Sequence, residues 1–126
     1  MINLKCLIDY KIINNDENII KKDIISKKIN NKISYIDDND SMELIINKDN
    51  IIMIKDNTDS EITFNFIKNK KNELEYYIKM FDSYLDGEIL TNELIIKENY
   101  INIEYELWIQ DEYMGKFKYE IIIKEM

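Results

Sequence analysis

The sequence predicts an all-β protein that closes into an antiparallel up-and-down β-barrel of about eight to ten strands. Three observations lead to this fold class. Apolar and polar residues alternate in one segment after another, polar turn residues recur roughly every eight to twelve residues, and no segment carries the 3.6-residue apolar stripe of an amphipathic helix. Closing the sheet removes its exposed edges, which suits a chain whose first and last strands are both strongly apolar.

The clearest alternation lies near the C-terminus and predicts a β-hairpin. Residues 101, 103, 105, 107 and 109 are Ile, Ile, Tyr, Leu and Ile, whereas Glu104, Glu106 and Trp108 occupy the opposite face. A polar loop is expected at residues 110–115, followed by a second strand with apolar residues at 117, 119, 121 and 123. Glu and Lys on the outer faces of the two strands favour their pairing.

The rest of the chain repeats this pattern with less regularity. Residues 19–29 predict a bulged or edge strand, in which Ile19, Ile25 and Ile29 share one face. Residues 82–87 break the alternation, and Leu90, Leu94 and Ile96 resume it. Further strands are expected around residues 2–12, 33–35, 42–46, 51–54, 62–66 and 74–80.

Composition indicates one domain spanning residues 1–126 and argues against several partners. Hydrophobic residues make up 45% of the chain, enough for a core that needs no disulfide or metal. The formal net charge of −8 opposes nucleic-acid binding, and Lys68, Lys70 and Lys71, the nearest approach to a basic cluster, lie beside Glu73 and Glu75.

Cysteine usage and hydropathy predict a cytoplasmic protein that does not enter a membrane. Cys6 is the only cysteine and lies on an apolar strand face, where a buried thiol is expected. Charged residues interrupt the N-terminal apolar positions, so no secretory signal is predicted, and no apolar run reaches the length of a membrane span.

The residue types present in the chain exclude most catalytic chemistry. We therefore predict that the protein is not an enzyme and that it has no cofactor and no metal site. The chain has no histidine and only two glycines, which rules out His-dependent nucleophiles and Gly-rich phosphate loops. Two Glu pairs, 73 with 75 and 104 with 106, have a spacing used by glycosidases, but both are expected to face solvent opposite lysines. Residues 37–48 do not match the EF-hand pattern, because Met42 replaces the required glycine and Lys48 replaces the bidentate acid. Two interpretations remain for this segment: an acidic hairpin loop or a weak calcium site of another type.

Inward-facing aromatics are the candidate ligand-binding residues. In a barrel of this size they line a small cavity or simply fill the interior, and the lack of alanine and valine favours a largely filled one. The set consists of Phe64, Phe66, Tyr76, Tyr105, Phe117 and Tyr119.

Four segments carry a family resemblance: residues 32–38, 42–51, 103–107 and 121–125. Their order resembles that of the YwiB-like family of small bacterial proteins, which have no established activity. The family is similar to the calycins, so the resemblance implies a lipocalin-like barrel that binds a small molecule. This chain departs from the family pattern at residues 82–91, where a Thr-Pro-Tyr-Gly-like corner is replaced by a shorter stretch containing Ser-Tyr-Leu-Asp-Gly.

Two functions follow as expectations. The first is a non-enzymatic barrel that binds a small apolar or amphipathic ligand in its interior or at its mouth. The alternative is a scaffold with a filled interior and an outward aromatic patch of Tyr77, Phe81 and Trp108, covered by a protein partner or by a second copy in a homodimer.

Overall fold

The computed structural model describes residues 3–15 and 17–126, and every regular element in these ranges is a β-strand. The predicted all-β fold class is therefore confirmed. The strands are β1 (Asn3–Asn14), β2 (Glu17–Ile29), β3 (Lys32–Asp37), β4 (Asp40–Ile46), β5 (Asn50–Asp56), β6 (Ser60–Ile67), β7 (Lys71–Ile78), β8 (Ser83–Lys97), β9 (Tyr100–Ile109) and β10 (Glu112–Glu125).

The ten strands form one closed antiparallel barrel. Each strand pairs with its neighbours in sequence, and β1 pairs with β10 to close the sheet. Because the chain runs up and down, the turns after β1, β3, β5, β7 and β9 gather at one end, which we call the tyrosine end. The opposite end, called the aliphatic end, holds the other turns together with the start of β1 and the end of β10.

The inner face of the barrel follows the alternation of the strands. Toward the aliphatic end it is filled by fully buried aliphatic side chains, including Ile33, Leu44, Ile51, Ile101, Ile103 and Ile121. Cys6 is also buried there and forms no disulfide, as expected for an interior thiol. Burial raises the pKa of the Cys6 thiol, which keeps it protonated.

A β-bulge changes the face assignment in β2. The predicted strand is present, but the β1–β2 register shifts between Ile8 and Tyr10, and Asp23 has a left-handed φ of 58°. The extra residue moves Ile24 to the inner face and leaves Ile25 66% exposed. The expectation that Ile25 shares a face with Ile19 was therefore wrong.

Two boundaries near β8 also differ from the sequence predictions. Residues 83–87 continue the alternation as the start of β8, so the expected break is confined to the turn before Ser83. A second register shift, between Thr91 and Glu93, turns Leu90 outward while Leu94 and Ile96 pack against the core. The β9–β10 turn is shorter than predicted, because Gln110 and Asp111 both adopt positive φ and close a tight turn.

None of the described residues belongs to a helix that could cross a membrane.

A candidate ligand-binding site at the tyrosine end

A cavity of about 120 Å³ lies just inside the tyrosine end of the barrel. Its walls come from inward-facing residues near the ends of β1, β3, β4, β5, β6, β9 and β10. Charged residues at the rim are partly exposed to solvent, so the cavity opens to the outside. Its lining consists of Tyr10, Ile12, Tyr35, Asp37, Asp40, Met42, Met53, Lys55, Phe64, Tyr105 and Tyr119.

Three tyrosines from separate strands meet in this wall. The ring of Tyr10 lies 5.7 Å from that of Tyr119 and 6.3 Å from that of Tyr35, measured between centroids. The hydroxyls of Tyr35 and Tyr119 form a buried hydrogen bond of 2.7 Å, whereas the Tyr10 hydroxyl donates to Oδ2 of Asp37. The group combines aromatic faces with hydroxyls, so it can contact both an apolar body and a polar atom.

Charges at the rim are compensated in pairs. Nζ of Lys21 lies 3.7 Å from Asp37, and Nζ of Lys55 lies 3.6 Å from Asp40. These pairs are partly exposed, so each contributes little to stability. Because each carboxylate is paired with a lysine, the rim presents no uncompensated charge to the cavity from Asp37 or Asp40.

Burial keeps the tyrosines of the cavity protonated. It raises the pKa of Tyr35 to about 12, against a lowering effect of its hydrogen bond to Tyr119. Burial is also the leading cause that raises the pKa of Tyr119 and Tyr105. For Tyr10, burial and then the bond to Asp37 raise the pKa. At neutral pH all four are therefore hydroxyls and none is a phenolate.

The six aromatics predicted as ligand-binding residues all belong to the interior, but the structure divides them. Phe64, Tyr105 and Tyr119 line the cavity. Phe66 is fully buried below it and stacks on Phe64 at 5.4 Å, and the remaining two, Tyr76 and Phe117, are partly buried against the core. Three of the six predicted ligand-binding aromatics therefore line the cavity.

Sequence reasoning missed Tyr10, Tyr35 and Asp37 as site residues. The alternation of apolar and polar residues places Tyr10 and Tyr35 on inner faces. It does not show that these two side chains contact Tyr119 in the closed barrel. The argument for a filled interior counted only alanine, valine and glycine as small residues. The buried Ser26, Ser60 and Thr91 are also small, but none of them lines the cavity, so side-chain size gave no signal of it.

The residues predicted for an outward patch do lie outside, in two groups. Phe81 is 73% exposed at the β7–β8 turn, close in sequence to Tyr77, whose ring packs 5.1 Å from that of Tyr84. Trp108 is half-buried on the outer wall, 5.4 Å from Tyr113, with Nζ of Lys71 4.3 Å above its ring. Trp108 is therefore partly covered by a lysine, and the segment beside it is the start of β8.

Beside Trp108 lies a group of four carboxylates that we call the carboxylate square. Glu73 pairs across the strands with Glu88, and Glu75 pairs with Asp86. The prediction that residues 73 and 75 face lysines was thus wrong, whereas Glu104 and Glu106 do lie opposite Lys118 and Lys116. Like charges directly opposite each other destabilise a sheet. The square, Trp108 and Tyr84 border an outer groove of about 630 Å³.

Metal binding finds no geometric support in residues 3–15 and 17–126. No group of three or more Asp, Glu or Cys side chains in these ranges is arranged to hold a metal ion. The carboxylate square is not such a group either.

Comparison with known proteins identifies the fold. No family model and no curated protein matches the chain. Among solved structures, the crystal structure of the YwiB protein from Bacillus subtilis is similar, with a TM-score of 0.65 and 12% sequence identity, covering 98% of this chain and 92% of that chain. The chain has the YwiB fold. At this identity the likeness to YwiB concerns the fold alone, and the resemblance expected from the sequence is confirmed at that level.

Proposed function

We propose that the protein is a non-enzymatic binding barrel that holds one small apolar or amphipathic molecule in the cavity of the tyrosine end, in the cytoplasm. The cavity itself carries this proposal, because it combines an apolar lining with a few convergent polar groups and an open side. Its tyrosines are protonated and its carboxylates are ion-paired, so it offers recognition groups and no evident general base.

The volume limits the ligand to roughly one ring. Sites for drug-sized molecules usually measure about 300–1,000 Å³, and this cavity measures about 120 Å³. An engineered apolar cavity of about 150 Å³ in another protein holds a benzene molecule. A six-membered ring therefore fits if part of it protrudes through the open side, whereas a whole lipid does not.

Titration of the ¹⁵N-labelled protein with benzene, followed by NMR, tests this proposal. We expect saturable shift changes for amides of residues lining the cavity. Met53→Trp, which fills the cavity, should abolish them, whereas Met80→Trp, at a site 82% exposed on the β7–β8 turn, should not. Binding that survives in a correctly folded Met53→Trp variant would refute the proposal, and Met42→Phe provides a milder filling if that variant folds poorly.

A second candidate function is the binding of a basic protein segment on the outer wall. The carboxylate square supports it, because its facing acids destabilise the isolated sheet and would be stabilised by a cationic partner. Within the square, Lys71 compensates Glu88 at 3.9 Å, and no ion pair is formed by Glu73, Glu75 or Asp86 among the described residues. Exposed Met80, Phe81 and Tyr84 extend the same wall with apolar surface. Lys71 over Trp108 illustrates how an ammonium group is held there. With a formal net charge of −8, a second copy of the chain is the less suitable partner.

Trp108 fluorescence tests this candidate directly, since Trp108 is the only tryptophan. An oligolysine peptide bearing leucines should change the emission, and the change should weaken in Glu75→Gln/Asp86→Asn but not in the control Glu43→Gln on β4. Native mass spectrometry distinguishes binding of a basic partner from homodimer formation. A monomer mass at all protein concentrations, together with binding of the peptide, supports the basic partner. A dimer that dissociates on dilution with a red shift of Trp108 would favour self-association instead.

A further inference from the structure

We propose that the ligand of the tyrosine end is a neutral, ring-bearing molecule with a hydrogen-bond acceptor, and that the Tyr35–Tyr119 hydroxyl pair donates the hydrogen bond to it. This inference rests on the proposed binding function of the cavity. It adds the polarity and charge of the ligand, which the volume and the apolar lining leave open.

A count of hydroxyl protons carries the first step. Each tyrosine hydroxyl has one proton to donate. Tyr10 donates its proton to Asp37. In the 2.7 Å pair of Tyr35 and Tyr119, one hydroxyl donates and the other accepts, so the accepting hydroxyl keeps a proton of its own. Within the described ranges, neither hydroxyl of this pair has another hydrogen-bond partner. The pair therefore has one donor left over in a buried position. The hydroxyl of Tyr105, which lines the same cavity, also has no hydrogen-bond partner among the described residues and is a second donor to be distinguished by experiment.

The leftover donor borders the cavity. Tyr35 and Tyr119 are each only 4% exposed, and both belong to the cavity wall. A buried donor without an acceptor is costly, and it is satisfied by water or by a ligand that supplies an acceptor. A carbonyl or ether oxygen on a small ring meets this need while the ring contacts Phe64, Met42 and Met53.

Charge compensation at the rim carries the second step. Asp37 and Asp40 are already paired with Lys21 and Lys55, so a charged ligand would lose hydration without gaining a free counter-charge. Burial raises the pKa of Tyr35 and Tyr119, so the pair stays a donor at neutral pH. A neutral acceptor is the ligand that suits both features.

Three probes of one shape test the chemistry: cyclopentanone, methylenecyclopentane and cyclopentylammonium. In NMR titrations of the wild-type chain, we expect the ketone to bind roughly two- to tenfold more tightly than the hydrocarbon, the gain typical of one hydrogen bond. The cation should bind most weakly. Equal affinity of ketone and hydrocarbon would overturn the inference and leave the proposed function intact, whereas no binding of any probe would overturn both.

Variants of the hydroxyl pair sharpen the test. Tyr35→Phe and Tyr119→Phe each leave a single hydroxyl with a free proton, so both should retain the preference for the ketone. Tyr35→Phe/Tyr119→Phe removes both hydroxyls of the pair and should bind ketone and hydrocarbon equally. Tyr105→Phe, which removes the other unpaired hydroxyl of the cavity wall, should retain the preference for the ketone. The control Tyr100→Phe removes an outer hydroxyl bonded to Glu120 and should change nothing. A ketone preference that persists in the folded double variant would refute the assignment of the donor.

Discussion

The two halves of the barrel interior obey the same alternation but differ in chemistry. At the aliphatic end, Ile33, Ile51, Ile101 and Ile121 are fully buried and carry no polar atoms in their side chains. At the tyrosine end, the inward positions carry hydroxyls, thioethers and ion pairs around a cavity. The difference indicates that one half supplies close packing, whereas the other gives up some of it and leaves a cavity.

The largest effect is expected where the two halves meet, at Tyr105. Its ring lies 5.0 Å from Phe66 and 5.2 Å from Phe117, so Tyr105→Ala removes the central member of an aromatic stack. We expect a loss of about 3–5 kcal/mol in the free energy of unfolding, measured with urea. Glu104→Ala, one residue away on the outer face, should stay within about 0.5 kcal/mol. Similar urea midpoints for the two variants would show that the register of β9 is wrong by one residue.

A contrast between a closely packed position and a cavity-lining one comes from Leu44 and Met53, which pair across β4 and β5 where the two halves meet. Leu44 is fully buried, so Leu44→Ala leaves a closed cavity and should cost about 2–5 kcal/mol. Met53 lines the open cavity, where water replaces the lost side chain. We expect Met53→Ala to fall at or below the lower end of the same range in urea unfolding. A larger loss for Met53→Ala than for Leu44→Ala would mean that the tyrosine end is the better packed half.

Regular strands were predictable from sequence, and bulged strands were not. In β9 and β10 the ladder is regular over the alternating segment, so residues 101–107 and 117–123 point as the pattern predicts. In β2 and β8 one extra residue shifts the parity, and Ile25 and Leu90 consequently turn outward. A bulge adds no distinctive composition, so the alternation alone cannot locate it.

The candidate site was only partly predictable for a related reason. The pattern shows that Tyr10, Tyr35 and Tyr119 are inward, but their meeting depends on the stagger of strands around the closed barrel. The carboxylate square likewise depends on the β7–β8 register, which the misplaced start of β8 concealed. Both features result from pairing between strands and not from the sequence of one strand.

Alkaline pH should weaken the fold at the tyrosine end. An unfolded tyrosine has a pKa of about 10, and burial raises that of Tyr35 to about 12. Stability from this group is complete below pH ~10 and is lost as pH rises toward ~12, because the unfolded state releases its proton first. We expect losses on the order of 1–3 kcal/mol across this window in urea unfolding. Tyr35→Phe/Tyr119→Phe should show a smaller loss, and an unchanged pH dependence would contradict the assignment.

The smallest effect is expected at the rim of the cavity, where Lys55 pairs with Asp40. Nζ of Lys55 lies 3.6 Å from the carboxylate, and both side chains are about a third exposed or more. Exposed ion pairs contribute about 0–1 kcal/mol, so Lys55→Met should change the urea midpoint very little, and added salt should reduce even that change. The same substitution leaves Asp40 without its cation beside the cavity, which should allow a cationic probe to bind. Lys32→Met, which breaks a similar pair with Glu43 away from the rim, is the matched control. If Lys55→Met destabilised the fold as much as Leu44→Ala, the rim would be a structural element of the barrel, and the division between a closely packed half and a half that contains the cavity would fail.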